Sequence, residues 1–553
     1  MARRVILTAL AAAAAAVTAD GQVPAAWQTA AERTDYAATT SYDEVLRIVE
    51  GLVEAHGHTR WERFGTSEEG RPLPLLMLSD PAVSTPEQAH KLGRPVVFVM
   101  ANIHAGEVEG KEAALILARR LAAGDLRSLL KRVVVLIAPI YNADGNEKVS
   151  VDNRTAQNGP VGGVGTRENA KGLDLNRDYV KLESAEARAL VSLLSRWDPH
   201  VVVDLHTTNG SYHGYHLTYA PSLNPNADAR LIAYTRERLL PAVQQAVQKK
   251  HGLRTYFYGN FASESGIARE SPRVDPANPG DAVWRTFDHR PRFGNNYIGL
   301  RNRIAVLSEA YSYYDFPGRV RVTEVFVEEV LRAVAGDALG VTQLTARVDR
   351  ETAAARSLSL GTDFRLAALP EPVEILVGDV AERVNPRSGK PMREMTEQAV
   401  PVRMKDYGVF EATATRPLPR GWLLPKAYVE SGRLAAALER LRQHGVRLQE
   451  VVAEGQIDVE RSVVVEYTRA ERVFQGHREA RLRARYEPAQ LSVQAGAWYV
   501  PASQPLARLA FYLLEAESDD GFVTWNVISG DGLAPGEAFP VYRVTNLRAL
   551  KVK

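Results

Sequence analysis

Two residues that can bind a metal ion follow the apolar run 96–100. His104 supplies an imidazole and Glu107, three positions later, supplies a carboxylate, and zinc accepts ligands of both kinds. His206 follows a second apolar run, residues 201–203. Two histidines and one glutamate leave a fourth zinc position open, which is the arrangement of a catalytic site rather than of a structural one. The sequence therefore predicts a hydrolytic site that holds one zinc ion.

A further carboxylate is available to move protons at such a site. Zinc lowers the pKa of a coordinated water to about 7, and a base must then take its proton and pass it to the leaving group. Glu309 follows a third apolar run, residues 304–307, and we expect it to be this general base. Because ligands bind beyond the carboxyl ends of the strands in an open α/β sheet, His104, His206 and Glu309 should share one rim.

The elements that must carry these residues alternate between short strands and helices. Four continuous apolar runs are typical of strands buried on both faces, and five stretches have helical spacing. The strands are 96–100, 133–137, 201–203 and 304–307, and the helices are 42–56, 112–121, 184–194, 231–248 and 323–335. This alternation predicts an α/β fold, with a mostly parallel mixed sheet and helices on both faces.

The pattern changes along the chain. Residues 36–340 are predicted to form the catalytic domain, and residues 341–360 a helical linker. Within the first part, residues 256–297 lose periodicity, and a long irregular loop of this kind is usually functional or mobile. Residues 361–553 contain short β-prone runs and are predicted to form a smaller β-rich domain. This domain could support folding, bind carbohydrate or shape the cleft.

The N-terminus has the layout of an export signal. Residues 1–4 are positively charged, residues 5–17 are apolar, and residues 17–19 offer a cleavage site of small side chains. We therefore predict a signal peptide over residues 1–19, which is too short to span a membrane, and no membrane span elsewhere. The expected location is secreted or periplasmic, by a bacterial export route.

Composition excludes several classes of function. The chain has no cysteine, so thiol catalysis and cysteine-ligated metal are excluded. The net charge is only +2, from 68 basic and 66 acidic residues, which argues against nucleic acid as a dedicated partner. These values predict no oligomeric state.

Residues 166–178, Thr-Arg-Glu-Asn-Ala-Lys-Gly-Leu-Asp-Leu-Asn-Arg-Asp, extend the pattern to a family resemblance. Together with His104-x-x-Glu107 and His206, this segment resembles the zinc metallocarboxypeptidases related to carboxypeptidases A and D. The resemblance covers about residues 40–335. It implies a carboxypeptidase-like fold, one zinc ion bound by these three residues, and a peptide substrate with a free C-terminus.

The resemblance also implies a role for each matching residue. Asn176 and Arg177 would bind the α-carboxylate of the peptide, and Arg167 would hold the oxyanion. Asp174 would orient a ligand histidine, and Glu309 would be the general base. The residue types suit these tasks, because a planar guanidinium recognises a carboxylate by two hydrogen bonds and a lysine does not.

One position departs from the family. Twenty-two positions before Glu309, where the family has a mobile tyrosine that closes over the substrate, this chain has Phe287. Tyr297 and Tyr258 are near enough to substitute, and Tyr297 is our candidate among the substrate-binding residues. The identity of the preferred C-terminal side chain stays open for the same reason.

Three functions remain in view. The leading prediction is a secreted zinc exopeptidase that removes C-terminal residues from peptides. The second is a zinc amidohydrolase that acts on cell-wall peptides or N-acyl amino acids. The third is a non-catalytic binding protein with the same fold, although the intact Glu309 and Arg167 speak against it.

Other histidines and a basic cluster invite a functional interpretation but have simpler explanations. His213 and His216 lie in a loop-like context, and His289 lies in an arginine- and proline-rich stretch. We expect all three to be structural. The basic residues from Arg478 to Arg485 alternate with alanine and leucine, as on a solvated strand face.

Overall fold

The computed structural model describes residues 23–208, 210–271, 273–547 and 550–553. The predicted signal peptide, residues 1–19, lies outside these described residues. Within them, no helix combines the length and the apolar character that a membrane span requires.

In the part of the chain that the structure describes, eleven strands precede the predicted linker. They are β1 Thr59–Thr66, β2 Pro72–Leu78, β3 Val96–Ala101, β4 Val134–Ala138, β5 Val201–Thr208, β6 Leu217–Ala220, β7 Thr255–Phe257, β8 Asn260–Ser263, β9 Glu270–Ser271, β10 Ala282–Arg285 and β11 Ile304–Tyr311. Eight of them form one mixed sheet in the order β1-β2-β4-β3-β5-β11-β6-β7. Four of its seven neighbouring pairs are parallel, which confirms the predicted mostly parallel sheet.

The helices of this part confirm the five predicted helical stretches and lengthen most of them. They are α1 Ala30–Arg33, α2 Tyr42–Ala55, α3 Pro86–Lys91, α4 Glu109–Ala123, α5 Ala143–Glu147, α6 Ala185–Trp197, α7 Ala229–Ala233, α8 Leu240–His251, α9 Gly294–Leu300 and α10 Phe316–Gly336. Local sequence sets several of their starts. Ser41 and Glu44 form a capping box at α2, and the Asp315 side chain accepts a hydrogen bond from the Gly318 amide at α10.

The two strands nearest the site are longer than the sequence predicted. β5 continues through Asp204 and His206, and β11 continues through Glu309, so these polar residues lie within the strands and not after them. Side chains two positions apart share one face of a strand, which places Asp204 and His206 on the same side of β5. The parallel register pairs Glu309 with His206. Polar residues are tolerated here because this face borders a cavity.

The remainder of the chain is rich in strands, as predicted. Its helices are α11 Ala338–Ala354, α12 Lys426–Glu430, α13 Ala435–Gln443 and α14 Ala507–Leu514. Its strands are β12 Ser359–Ala367, β13 Val373–Val384, β14 Pro391–Tyr407, β15 Val409–Pro417, β16 Gly421–Leu424, β17 Gln449–Glu450, β18 Gly455–Phe474, β19 His477–Val493, β20 Trp498–Pro501 and β21 Tyr542–Asn546. Six of these strands form a sheet in the order β17-β20-β16-β21-β18-β19.

Residues on both sides of the boundary predicted at residue 361 share one sheet and one hydrophobic cluster. A five-stranded sheet in the order β13-β14-β10-β8-β9 takes strands from both sides of it, with β10 and β14 parallel. One hydrophobic cluster contains Val203 of β5 together with Trp422 of β16 and Phe511 of α14. Residues 256–297, predicted to be irregular, contain three strands of this sheet. β8 pairs with β9 and β10 nearby, but β10 joins the rest of the sheet through β14, more than 100 residues away, and local periodicity gives no sign of that pairing.

Candidate active site

Three buried side chains come together at the carboxyl ends of β3 and β5. His104 and Glu107 lie in the turn between β3 and α4, His206 lies in β5, and their ligand atoms all lie within 4.8 Å of one another. His104 Nδ1 is 2.9 Å from Glu107 Oε1, and His206 Nδ1 is 3.1 Å from Glu107 Oε2. Two imidazole nitrogens and a carboxylate at this spacing match the donors and the bond lengths of about 2.0–2.2 Å that zinc requires. The residues therefore fit a zinc ion.

The turn that carries His104 and Glu107 is restricted at two positions. Asn102 has a φ of +65°, in the left-handed region that asparagine enters more readily than most residues. A Cβ atom on Gly106 would lie 2.9 Å from the Gly165 carbonyl oxygen, so only glycine fits there. The Glu107 amide donates to the His104 carbonyl at 2.9 Å and closes the turn.

Each histidine has a carboxylate near the ring nitrogen that faces away from Glu107. His104 Nε2 is 3.1 Å from Asp174 Oδ1, and His206 Nε2 is 3.0 Å from Asp204 Oδ2. Carboxylates in this position orient ligand histidines and raise their basicity. Asp174 was expected here and Asp204 was not. The sequence feature that could have identified Asp204 is its position two residues before His206 in the same strand.

Asp174 is the centre of a network behind His104. Its Oδ2 accepts from Arg167 Nε at 3.0 Å and lies 2.9 Å from Arg167 Nη2, while its Oδ1 also accepts from the Asn176 amide at 2.9 Å. Burial opposes ionisation of this carboxyl. The His104 hydrogen bond and the charges of Arg177 and Arg167 outweigh burial and hold the pKa of Asp174 well below its usual range.

Glu107 has a cationic neighbour that the sequence analysis did not identify. Arg154 Nη2 donates to Glu107 Oε1 at 2.6 Å, and the Thr207 amide donates to Glu107 Oε2 at 3.1 Å. Burial would raise the pKa of Glu107, but the charges of His104 and Arg154 hold it well below its usual value. Arg154 lies in an irregular segment without a motif, so spacing gave no reason to select it.

Glu309 faces the same cavity from β11 and is only partly buried. Among the residues that the structure describes, its carboxylate makes no hydrogen bond and no ion pair. Burial raises the pKa of Glu309 to about 8, the charges of Glu107 and Asp204 add to this increase, and His206 and Arg167 oppose it. Both carboxylate oxygens are therefore available to a ligand.

Asn176 and Arg177 lie in a 3₁₀ turn, Leu175–Arg177, on another side of the cavity. Arg177 Nη1 donates to the Asn176 carbonyl at 2.7 Å, and the guanidinium carbon lies 3.9 Å from the centre of the Phe293 ring. Burial lowers the pKa of Arg177. Within the described ranges, no ion pair includes this guanidinium, so an anion that enters the cavity would find it unpaired.

These residues line one cavity of about 270 Å³. Tyr258, Phe287 and Phe293 form an aromatic wall beside them, with ring centres 5.2 Å apart for the first pair and 5.6 Å for the second. The complete lining is His104, Glu107, Arg167, Asn176, Arg177, Asp204, His206, Thr207, Thr208, Tyr258, Phe287, Phe293, Asn295, Leu307 and Glu309.

Tyr297 does not reach the cavity, contrary to our expectation. Its ring is fully buried, and its hydroxyl lies 2.8 Å from His444 Nδ1 and accepts from Arg301 Nη1 at 3.3 Å. These polar partners satisfy the hydroxyl inside the core. Of the two tyrosines considered, Tyr258 is the one at the cavity, beside Phe287.

The histidines that we expected to be structural lie outside the cavity lining. The His213 ring packs 4.1 Å from Tyr311, centre to centre, and the pKa of His213 is lowered to about 3 by burial. His289 Nε2 lies 2.9 Å from Asp519 Oδ2, which joins two distant parts of the chain.

Comparison with known families agrees with this geometry. The family described as zinc carboxypeptidase matches residues 45–272. These residues form a zinc carboxypeptidase domain. Residues 45–272 therefore belong to this zinc-dependent family, and the relatives named as carboxypeptidases support a metallocarboxypeptidase, a hydrolase of peptide bonds. The matched range includes His104, Glu107 and His206 and ends before Glu309.

Individual relatives extend the comparison beyond this zinc carboxypeptidase domain. Carboxypeptidase 2 of Trichophyton tonsurans is 23% identical over 496 residues, which cover 86% of this chain and 81% of the relative. Human carboxypeptidase Z is 31% identical over 173 residues, which cover 30% of this chain and 25% of the relative. The fungal match is too long to end at residue 335, where we expected the resemblance to end.

One solved structure among the similar ones is the metallo-carboxypeptidase from Pseudomonas aeruginosa in complex with (2-guanidinoethylmercapto)succinic acid. It is 19% identical to this chain, with a TM-score of 0.36. The similarity covers 55% of this chain and 70% of that one.

Proposed function

We propose that this protein hydrolyses the last peptide bond of peptides that carry a free α-carboxylate. The observation that supports this most directly is Arg177, a partly buried guanidinium on the cavity wall with no ion-pair partner in the described part of the chain. A guanidinium binds a carboxylate through two parallel hydrogen bonds, which fixes its orientation as well as its position. Asn176 is adjacent and supplies further polar groups to the same carboxylate.

His104, Glu107 and His206 would hold one zinc ion. When bound, zinc lowers the pKa of a coordinated water and polarises the scissile carbonyl. Asp174 and Asp204 keep the Nδ1 atoms of both histidines directed at the ion, because each occupies the space beside the other ring nitrogen.

Glu309 acts as the general base in this proposal. Its position beside His206 in the parallel register and its lack of other partners among the described residues allow it to accept a proton from the attacking water. The same carboxyl then donates the proton to the nitrogen of the leaving residue. Arg167, held by Asp174 with its guanidinium at the cavity, stabilises the negative charge that develops on the carbonyl oxygen.

Glu309→Gln tests the proton transfer. Glutamine keeps the size of the side chain and cannot accept the proton, so we expect kcat to fall by about 100- to 10,000-fold, the range for general acid–base catalysis. Metal analysis should find the same zinc content as in the wild type. Turnover at the wild-type rate would rule out this role for Glu309.

Paired substrates test the carboxylate anchor. A peptide with a free C-terminus and its C-terminally amidated form differ only at the group that Arg177 would bind. We expect hydrolysis of the free acid and little of the amide, measured by mass spectrometry of the products. Equal rates would favour the zinc amidohydrolase alternative, and absence of hydrolysis of either by the zinc-loaded protein would favour a binding protein.

We further propose that the protein acts after export from the cytoplasm. The charge and apolar pattern of residues 1–19 supports this proposal. Mass spectrometry of the protein recovered from the periplasm or the medium should find an N-terminus near residue 20. Recovery of the uncleaved chain from the cytoplasm alone would contradict it.

A further inference from the structure

The aromatic wall of the cavity is held in place by residues of the C-terminal region. Phe287 and Phe293 belong to a segment whose intervening residues contact Asp519 and Asp520. The Arg292 amide donates to Asp520 Oδ2 at 2.8 Å, and Arg292 Nε donates to Asp520 Oδ1 at 2.9 Å. A single aspartate thus holds both the main chain and the side chain of the residue before Phe293.

The residues around Asp520 hold its contact with Arg292 in one geometry. Asp520 is fully buried, and Trp525 Nε1 donates to its Oδ1 at 2.9 Å. The Arg292 guanidinium lies over the Trp525 ring, 4.5 Å from its centre. Buried ion pairs contribute little net stability, because desolvation offsets the attraction, and their best-attested role is to fix the register of the elements they join. The Asp520–Arg292 pair is therefore suited to hold the segment from Phe287 to Phe293 in place.

The position of this segment determines the position of the carboxylate anchor. The Arg177 guanidinium stacks on the Phe293 ring, and the Gly294 amide donates to Asn176 Oδ1 at 3.0 Å. A displacement of this segment would move both the Phe293 ring, on which Arg177 stacks, and the Gly294 amide, which donates to Asn176.

The C-terminal region makes a second contact, through the tip of the β18–β19 hairpin. Gln475 Oε1 accepts a hydrogen bond from the Asp174 amide at 2.9 Å. Gln475 and Gly476 connect the two strands with φ angles of +49° and +81°. A two-residue turn with positive φ at both positions favours asparagine, aspartate or glycine. The turn conformation does not explain a glutamine at this position, whereas the hydrogen bond to the Asp174 amide needs a side chain of this length.

We propose that the C-terminal β-rich region positions the substrate-binding side of the active site, through Asp520 and Gln475. This inference rests on the proposed function, because it assigns meaning to the placement of Arg177. Asp520 acts on Arg177 through Arg292 and Phe293. Gln475 acts through Asp174, which holds both His104 and Arg167. Neither residue touches the substrate, so both are positioning residues.

Asp520→Asn in the full-length, zinc-loaded enzyme tests the first contact. A misplacement of about 1 Å can cost about 100-fold in rate, and we expect a smaller shift to raise KM for a free-acid peptide about tenfold, with kcat within about twofold. Glu517→Gln is the control, because Glu517 is three residues away and pairs with Arg416, which lies in the C-terminal region itself. We expect wild-type KM for this control.

Gln475→Asn tests the second contact without weakening the fold. Asparagine suits the turn, so Tm should equal or exceed that of the wild type, but its side chain is one methylene too short to reach the Asp174 amide. We expect kcat/KM to fall about fivefold or more at unchanged Tm and zinc content. A loss of activity that merely follows a loss of stability would move Tm as well.

Two results would overturn the inference. One is wild-type kinetics in both Asp520→Asn and Gln475→Asn, and the other is an equal change of KM in Asp520→Asn and Glu517→Gln. Failure of the proposed function is a different result, because the wild type itself would then cleave free-acid and amidated peptides equally.

Discussion

Asp204 gives the sharpest test of how the metal site is held. Its carboxylate lies 3.0 Å from His206 Nε2, and Asp204→Asn keeps the shape of the side chain while removing its charge. Loss of a carboxylate partner behind a ligand histidine typically costs about 10- to 100-fold in metal affinity. This range corresponds to about 1.4–2.7 kcal/mol of binding free energy.

The structure places the expected value near the upper end of this range. Asp174, the corresponding carboxylate behind His104, shares its charge with Arg167 and accepts a hydrogen bond from the Asn176 amide. Asp204 is buried, and within the described residues its only ion-pair contact is with His206. Its charge therefore acts mainly on His206, and we expect Asp204→Asn to weaken zinc binding about 100-fold.

Competition with a chromogenic zinc chelator at fixed pH measures the dissociation constant in wild type and variant. Asp406→Asn is a matched control, because Asp406 is also buried, with one oxygen lacking a hydrogen bond, and lies in β14 away from the cavity lining. We expect this control to bind zinc as the wild type does. Zinc affinity within twofold of the wild type in Asp204→Asn would refute the role assigned to this carboxylate.

Three further results should follow from the structure. Arg177→Lys keeps the charge and loses the paired hydrogen bonds, so KM for free-acid peptides should rise about tenfold; an unchanged KM in steady-state assays would contradict the anchor. Zinc at about 1,000 times its dissociation constant should stabilise the folded protein by about 4 kcal/mol, and a Tm unaffected by chelation would exclude a bound ion. Burial lowers the pKa of His444 to about 3, so from pH 6.5 down to about 3 the unfolded chain binds the extra proton. Stability should fall by about 1.4 kcal/mol per pH unit on acidification from this residue alone, and urea unfolding of His444→Gln should have a shallower pH dependence.

The fold elements that the sequence predicted correctly have a local signal. The same holds for the predicted site residues that the structure brings together. Continuous apolar runs such as β3 and β4 need only their own composition to be recognised. His104 and Glu107 lie in one turn, and the 166–178 segment carries its pattern within thirteen positions. The strands β5 and β11 were predicted too short, because polar side chains on the cavity face interrupt the apolar pattern without ending the strand.

The residues that the sequence missed depend on distant partners. The Tyr297 hydroxyl lies next to His444, 147 residues further along the chain, and this contact removes it from the cavity. Arg154 is significant only because its loop folds over Glu107. The pairing of β10 with β14 joins residues that no local periodicity connects.

The hairpin tip that touches Asp174 also has a consequence for the order of events during synthesis. Gln475 and Asp174 are 301 residues apart, and Asp520 and Arg292 are 228 residues apart. At about 5–20 residues per second, Gln475 follows Asp174 out of the ribosome after roughly 15–60 s. The three proposed zinc ligands and Glu309, the proposed general base, are all synthesised before this contact can form. If the proposed roles hold, a nascent chain carries the hydrolytic groups well before it carries Gln475 and Asp520, whose contacts we propose to position the substrate-binding side of the site.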